Sequence, residues 1–361
     1  MQHRYFCINL RKYLHNLTSC NMKKNKATLA DIANTLDVSI STVSRALKGH
    51  PRIGTKTKEK VLEAARDLGY MSPSMLASEV SKRSKFIGVI VPKISYHLYA
   101  MAISGIEKVA ETRGMHIIVC QSNESQEREQ SLVHELMDLG VVGVIASLAS
   151  ETTDFSHFDA LKNRKIPLVF FNRQCDEVET DKVVIDNYKA SCDATEHLIA
   201  IGCKKIAYLG GPEILQINKV RAAGFKSTLQ KSSLEPYTDF MVYANFEKQS
   251  TLSAARKLLY SPITPDGVLA YSDQMAIGLM VAAKERGLKI PEDIAIIGFN
   301  NEPVDELLEP SLTSVDQPAL VMGEESANLI FKQIDNKEEG YKKKILKSFL
   351  VVRNSTNRNR V

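Results

Sequence analysis

Residues 28–47 read TLADIANTLDVSISTVSRAL, and the spacing of apolar side chains along them decides the character of the N-terminal part of the chain. Leu29, Ile32, Ala33 and Leu36 fall at i, i+3, i+4 and i+7, which places them on one face of a short helix capped by Thr28. Asp37-Val38-Ser39 breaks that helix. Ser39 is a good N-cap for a second helix running to about Leu47, whose inward positions are Val43, Ala46 and Leu47. A third helix, about Thr55 to Leu68, buries Val61, Leu62, Ala65 and Leu68 and ends at Gly69, a residue type that tolerates a left-handed cap. These three helices are expected to share one small core. The second exposes Ile40, Ser41, Thr42, Ser44 and Arg45 after a tight turn, the geometry needed to enter a major groove. Short side chains at its start allow close approach to base edges, and Arg45 reaches a guanine edge one turn later. The hydroxyls of Ser39, Thr42 and Ser44, with the free N–H groups of the helix N-terminus, suit phosphate contacts.

Charge supports this reading of the N-terminal part. Residues 22–85 hold 13 basic and 6 acidic residues, and residues 1–21 add Arg4, Arg11 and Lys12 with no acid. The whole chain of 361 residues is only +5, so a basic head precedes a net acidic body. Such a head suits a polyanion partner, because phosphate neutralisation with counterion release supplies sequence-independent affinity. Met22 opens a Lys-rich stretch and reads as the start of translation, with residues 1–21 a mis-called extension or disordered tail. Residues 1–21 lack the continuous apolar segment of a signal peptide. No stretch approaches the roughly 18 to 20 apolar residues of a membrane span. The six cysteines include no CxxC pair and no Cys/His cluster with metal-ligand spacing, and Cys120 reads as a core residue. No metal, cofactor or membrane partner is expected, and a reducing cytoplasm is the expected compartment.

Two segments, Thr28-Leu29-Ala30-Asp31-Ile32-Ala33 and Val38-Ser39-Ile40-Ser41-Thr42-Val43-Ser44-Arg45-Ala46-Leu47, closely resemble the head motif of the lactose-repressor (LacI) family. The resemblance implies that Ile40, Ser41 and Arg45 read bases, while Thr28, Ser39, Thr42, Ser44, Thr57 and Tyr70 contact the DNA backbone. It divides the chain into a helix-turn-helix head (22–71), a hinge helix and linker (72–85) and an effector-binding and dimerisation body (86–361). Pro73 in the first turn after Ser72 suits a short hinge helix. Two turns are marginal alone, so the hinge is expected to order on DNA. There Ala77 and Val80 meet the minor groove, with Val80 standing where the family has a leucine wedge. Valine is shorter, and Glu79 brings an acid beside the phosphates that Lys82, Arg83 and Lys85 offset.

Beyond residue 85, short apolar runs alternate with helical stretches such as Met101–Glu111 and Leu252–Leu259. The runs are Phe86–Val91, His116–Cys120, Val141–Ala146, Leu168–Phe171, Val183–Ile185, Ile206–Leu209, Phe240–Tyr243, Val268–Ala270 and Ala295–Phe299. Continuous apolarity suits strands buried on both faces, so the fold class is α/β with parallel sheets. Nine strands exceed one comfortable sheet. The family resemblance, extended to periplasmic sugar-binding proteins, implies two lobes, about 86–186 with 318–342 and about 187–316 with 344–358. The chain then crosses near Asp186-Asn187, near Asp316-Gln317-Pro318 and near Lys343.

The ligand is expected between the lobes, at the carboxyl ends of the strands. By resemblance, Arg221 is the effector-binding arginine and Asp273 a cleft aspartate. Asn172, Arg173, Phe246 and Asn300 join them, with Phe246 and Tyr99 stacking on a ring from opposite lobes. Asn300 stands where the family usually has aspartate. An amide both donates and accepts, so the ligand's hydroxyl pattern or charge is expected to differ.

Three readings compete. The body carries no Walker loop, GxSxG elbow, HExxH or GxGxxG, which argues against an enzyme. A two-lobed sugar-binding protein without a regulatory role leaves the head unexplained. A transcriptional regulator uses both halves. As a homodimer on a near-palindromic operator in double-stranded DNA it is expected to repress, with a sugar or sugar derivative as its small-molecule effector.

Overall fold

In the computed structural model, the described residues are 28–47, 50, 52–68, 70, 85–234, 240–335 and 340–358. The expected N-terminal extension, Gly69, and most of the expected hinge, including Ala77 and Val80, lie outside them. The head and the body are two separate units, divided between Arg83 and Ser84.

The head contains α1 (Leu29–Leu36), α2 (Ile40–Leu47) and α3 (Thr55–Asp67). Thr28 and Asp31 form a reciprocal capping box. The Thr28 N–H donates to Asp31 Oδ2 at 2.6 Å, and the Asp31 N–H donates to Thr28 Oγ1 at 3.4 Å. The Thr28 N–H and the Thr28 hydroxyl, both donating to Asp31 Oδ2, hold the Asp31 carboxyl below the usual carboxylate range. Asp37 takes the left-handed conformation (φ 50°) that ends α1. Ile32, Ala33, Val43, Ala46, Val61, Ala64 and Ala65 are the buried centre, with Leu29, Leu36, Leu47, Leu62 and Tyr70 packed around them. Leu68 differs from its expected place: it follows the last turn of α3 and is exposed.

All nine apolar runs form strands, and three further strands lie outside them. The body strands are β1 (Phe86–Val91), β2 (His116–Gln121), β3 (Gly143–Ala146), β4 (Leu168–Phe171), β5 (Asp181–Ile185) and β6 (Ile206–Gly210). They continue with β7 (Met241–Tyr243), β8 (Gly267–Ala270), β9 (Ala295–Asn300), β10 (Thr313–Asp316), β11 (Lys343–Leu346) and β12 (Phe349–Val351). One sheet has the order β11-β5-β4-β3-β1-β2 and the other β12-β10-β9-β8-β6-β7. Pairing is parallel throughout except for β12, which runs antiparallel along β10 with Val315 opposite Leu350. Cys120, on edge strand β2, is half-buried.

The principal body helices are α4 (His97–Thr112), α5 (Gln126–Asp138), α6 (Asp159–Asn163), α7 (Asn187–Ala200), α8 (Gln216–Lys231), α9 (Lys248–Leu259), α10 (Asp273–Glu285) and α11 (Ala319–Ile334). On the first lobe α4 lies against α11 with glycines at the crossing. A methyl on Gly105 would stand 2.1 Å from the Leu320 carbonyl oxygen, and one on Gly323 would stand 1.9 Å from that of Ala102. The chain leaves the first sheet after β5 and the second after β10. The third crossing differs: β11 pairs with β5, Lys343 opposite Lys182, so the chain changes sheets between Leu346 and Phe349 rather than at Lys343. The exposed Lys343 and Lys344 disguise this edge strand.

In each lobe the strand order reverses, between β1 and β3 in the first and between β6 and β8 in the second. Loops at the carboxyl ends of strands splay apart at such points and leave a crevice.

Candidate functional site

On α2, burial of Val43 and Ala46 turns Ile40, Ser41 and Arg45 outward, while Thr42 and Ser44 are half-buried. Ile40 is 52% exposed although it is large and apolar. Ser39 is tied down within the chain: its hydroxyl accepts from the Thr42 N–H at 3.1 Å and bonds the hydroxyls of Ser41 and Thr42 at 2.8 Å. Thr28 is exposed, and Thr57 and Tyr70 are half-buried. The result is a preset turn presenting one apolar, one hydroxyl and one guanidinium side chain.

Between the lobes lies a narrow, partly open space lined by polar and aromatic side chains. Tyr99, Asn172, Arg173, Arg221, Phe246 and Asn300 all line it. So do Tyr96, Tyr271, Gln274, Glu302 and Gln317, which the sequence reading did not single out as ligand contacts. They sit at the carboxyl ends of β1, β8, β9 and β10, where the switch-point rule points. Three of the strand-end residues adopt positive φ: Asn172 (56°), Asn300 (115°) and Asn301 (53°). Asparagine is among the residues best able to occupy that region, and such backbone strain gathers at binding sites.

Arg221 on α8 is almost completely buried. Its Nε donates to Asn187 Oδ1 at 2.9 Å and its Nη1 to the Tyr271 carbonyl at 2.7 Å, while its plane lies 3.7 Å from the Phe299 ring centre. Desolvation lowers its pKa. Arg173, from the loop after β4, pairs with Glu124 at 2.7 Å and lies over Phe246 of the opposite lobe at 5.0 Å. Burial works against its charge, but nearby Tyr99 and Glu124 outweigh it and raise its pKa.

Tyr99 is deeper than a stacking platform needs to be. Its ring meets Phe171 edge-on and its hydroxyl accepts from Ser147 Oγ at 3.3 Å and Asn172 Nδ2 at 3.2 Å. Burial pushes that hydroxyl up to about 12. Tyr96 lies across it, with ring centres 6.3 Å apart, and meets Phe246 edge-on. Tyr96 therefore offers the more accessible aromatic surface on the first lobe.

Asp273 departs from its expected place. It is fully buried and does not line the space. Its Oδ1 accepts from Ser314 Oγ at 2.6 Å and its Oδ2 from the Glu302 N–H at 3.1 Å. Gly298 makes room for this inward turn, since a methyl there would come within 2.0 Å of Asp273 Oδ1. Glu302 is the acid that reaches the space, and burial together with Asp273 pushes its carboxyl up to about 7. Asn300 Oδ1 accepts from Gln317 Nε2 at 2.6 Å, which orients both amides.

An exposed helix face after a preset turn, together with a polar cleft between two lobes, defines a helix-turn-helix head joined to a two-lobed α/β body. Residues 28–73 match the family model described as bacterial regulatory proteins, lacI family, and residues 195–356 match the periplasmic binding protein-like domain. The chain is 33% identical to the ribose operon repressor of Halalkalibacterium halodurans, over 91% of this chain and 97% of that one. Among solved structures, the transcriptional regulator CelR in complex with cellobiose is similar with a TM-score of 0.70 at 28% identity, over 91% of this chain and 100% of that one. The Lac repressor dimer bound to operator and the anti-inducer ONPF is similar with a TM-score of 0.69 at 25% identity, over 92% and 99% of the two chains. The chain belongs to the LacI family of bacterial transcriptional regulators. Among the described residues, no helix is long and apolar enough to cross a membrane.

Proposed function

We propose that this protein is a cytoplasmic repressor that binds a near-palindromic operator as a homodimer and responds to a sugar held between its lobes. The observation that carries the reading is the division of α2. Val43 and Ala46 close the head core, leaving Ile40, Ser41 and Arg45 on an exposed face at the start of a helix. Ile40 and Ser41 approach base edges and Arg45 takes a guanine edge, while Thr28, Ser39, Thr42, Ser44, Thr57 and Tyr70 hold phosphates. The hinge at 72–85 follows into the minor groove through Ala77 and Val80, and the shorter Val80 kinks the DNA less than leucine.

Aromatic faces beside amides and a guanidinium suit a pyranose or furanose ring, and the similarity to a ribose operon repressor and to a cellobiose-bound regulator supports that class. Arg221 links this site to the lobe crossing. Its bond to Asn187, the first residue of α7 after the chain leaves the first lobe, makes a ligand contact felt at the crossover. Closure of the lobes then shifts operator affinity by a coupling on the order of 1–3 kcal/mol. Footprinting at two salt concentrations, followed by a screen of sugars for altered protection, tests the proposal. Absence of any protected palindrome at low salt rejects it.

A further inference from the structure

We infer that the cleft selects an uncharged polyhydroxylated ligand and rejects the phosphorylated or carboxylated form of the same sugar. The inference rests on the sugar-binding reading above and narrows it by the way charged and orphaned groups are arranged.

Both guanidinium groups at the cleft are partly engaged, Arg173 through Nη1 alone. Arg173 is neutralised by Glu124 at 2.7 Å and also donates to the Leu148 carbonyl. Arg221 has no carboxylate within ion-pair distance, but its nitrogens are committed in a way that matters for anions. Carboxylate and phosphate groups gain most from two parallel N–H donors. One two-nitrogen edge of Arg221 contains Nε, bonded to Asn187, and the other contains Nη1, bonded to the Tyr271 carbonyl. Neither fork is wholly open, and what remains suits the single acceptor of a hydroxyl or ring oxygen.

The third charged side chain lining the space is an acid, Glu302, with Asp273 and Asp305 buried behind it. An anionic ligand meets this half-buried carboxyl, and like charges at such a site repel.

The neutral lining asks for donors. Gln317 is 4% exposed, its Nε2 is fixed on Asn300 Oδ1, and its Oε1 has no hydrogen-bond partner. A sugar hydroxyl donates to an orphaned acceptor, whereas a phosphate dianion or carboxylate only accepts and leaves it unpaired.

The test uses the full-length protein at pH 8, with scanning fluorimetry and titration calorimetry on matched sets. These are glucose with glucuronate and glucose 6-phosphate, ribose with ribose 5-phosphate, and cellobiose with cellobionate. At least one neutral sugar is expected to bind, with its charged partner weaker by about tenfold or more. Glu302→Gln narrows that gap, and lowering the pH from 8 to 6 narrows it in the wild type for glucuronate and cellobionate, whose own charge is constant over that range, as Glu302 takes up its proton. A charged member that binds as tightly as its neutral parent overturns the inference while leaving the sugar reading standing. Binding of no sugar at all, with the operator still protected, overturns both.

Discussion

Replacing Asp305 by asparagine probes the most crowded charge arrangement in the body. Asp273 and Asp305 are both fully buried and within hydrogen-bonding reach, and the Asp305 oxygens have no other partner. Burial, then the neighbouring Asp273, pushes the Asp305 carboxyl far up, and burial raises Asp273 as well, so the pair retains a proton at neutral pH. Arg221 faces Asp273 and Arg353 faces Asp305, and both only partly oppose the rise. A folded value above the unfolded one, which is about 3.9, means that the folded state binds more protons. The stabilisation is therefore complete below about pH 4 and is lost as pH climbs towards the raised folded value. One proton limits the slope to about 1.4 kcal/mol per pH unit, or roughly 3–5 °C of Tm for a unit of this size. Asparagine donates to Asp273 at every pH, so Asp305→Asn is expected to flatten the decline between pH 6 and 9 and to be the more stable protein at pH 9. Differential scanning calorimetry across that range gives the result. Glu302→Gln serves as the control, because Glu302, raised to about 7, adds slope of the same sign only up to about neutrality. Parallel Tm curves for the wild type and Asp305→Asn would refute the shared proton.

Thr28→Ala removes the hydroxyl that accepts from the Asp31 N–H and donates to its carboxylate, leaving the Thr28 backbone bond in place, and is expected to cost α1 about 0.5–2 kcal/mol, read as faster amide exchange in α1 of the full chain. Gly323→Ala drives a methyl against the Ala102 carbonyl and should lower stability in urea by about 1–3 kcal/mol. Gly54→Ala, which meets nothing within 4 Å, serves as its control. Arg45→Ala is expected to weaken operator binding by about 1–3 kcal/mol while changing binding to unrelated DNA far less, measured by competition at fixed salt. Equal losses on both DNAs would assign Arg45 to phosphate contact instead.

Local order determined most of the architecture. Helical spacing in residues 28–47 placed α1 and α2, and continuous apolar runs placed β1 to β9, because a segment buried on one face or on two must carry that pattern wherever it packs. Strands β10 to β12 escaped this logic. Thr313–Asp316 carries polar side chains whose partners lie elsewhere in the chain, and β11 exposes two lysines at a sheet edge. The cleft was legible as a set of strand-end positions, and six of the seven expected contacts meet there. Which way each side chain points was decided only in three dimensions. Gly298 opens room for Asp273 to turn inward onto Ser314, and Asp273 in turn binds the Glu302 backbone, leaving that residue's carboxyl in the cleft. Depth was decided there too, since Tyr99 sinks onto Phe171 and Tyr96 covers it. Helical periodicity alone determined the exposed face of α2, because it dictates which side chains remain outside a small core. The ligand-facing set required the tertiary fold, because it is assembled from loop ends whose orientation depends on distant neighbours.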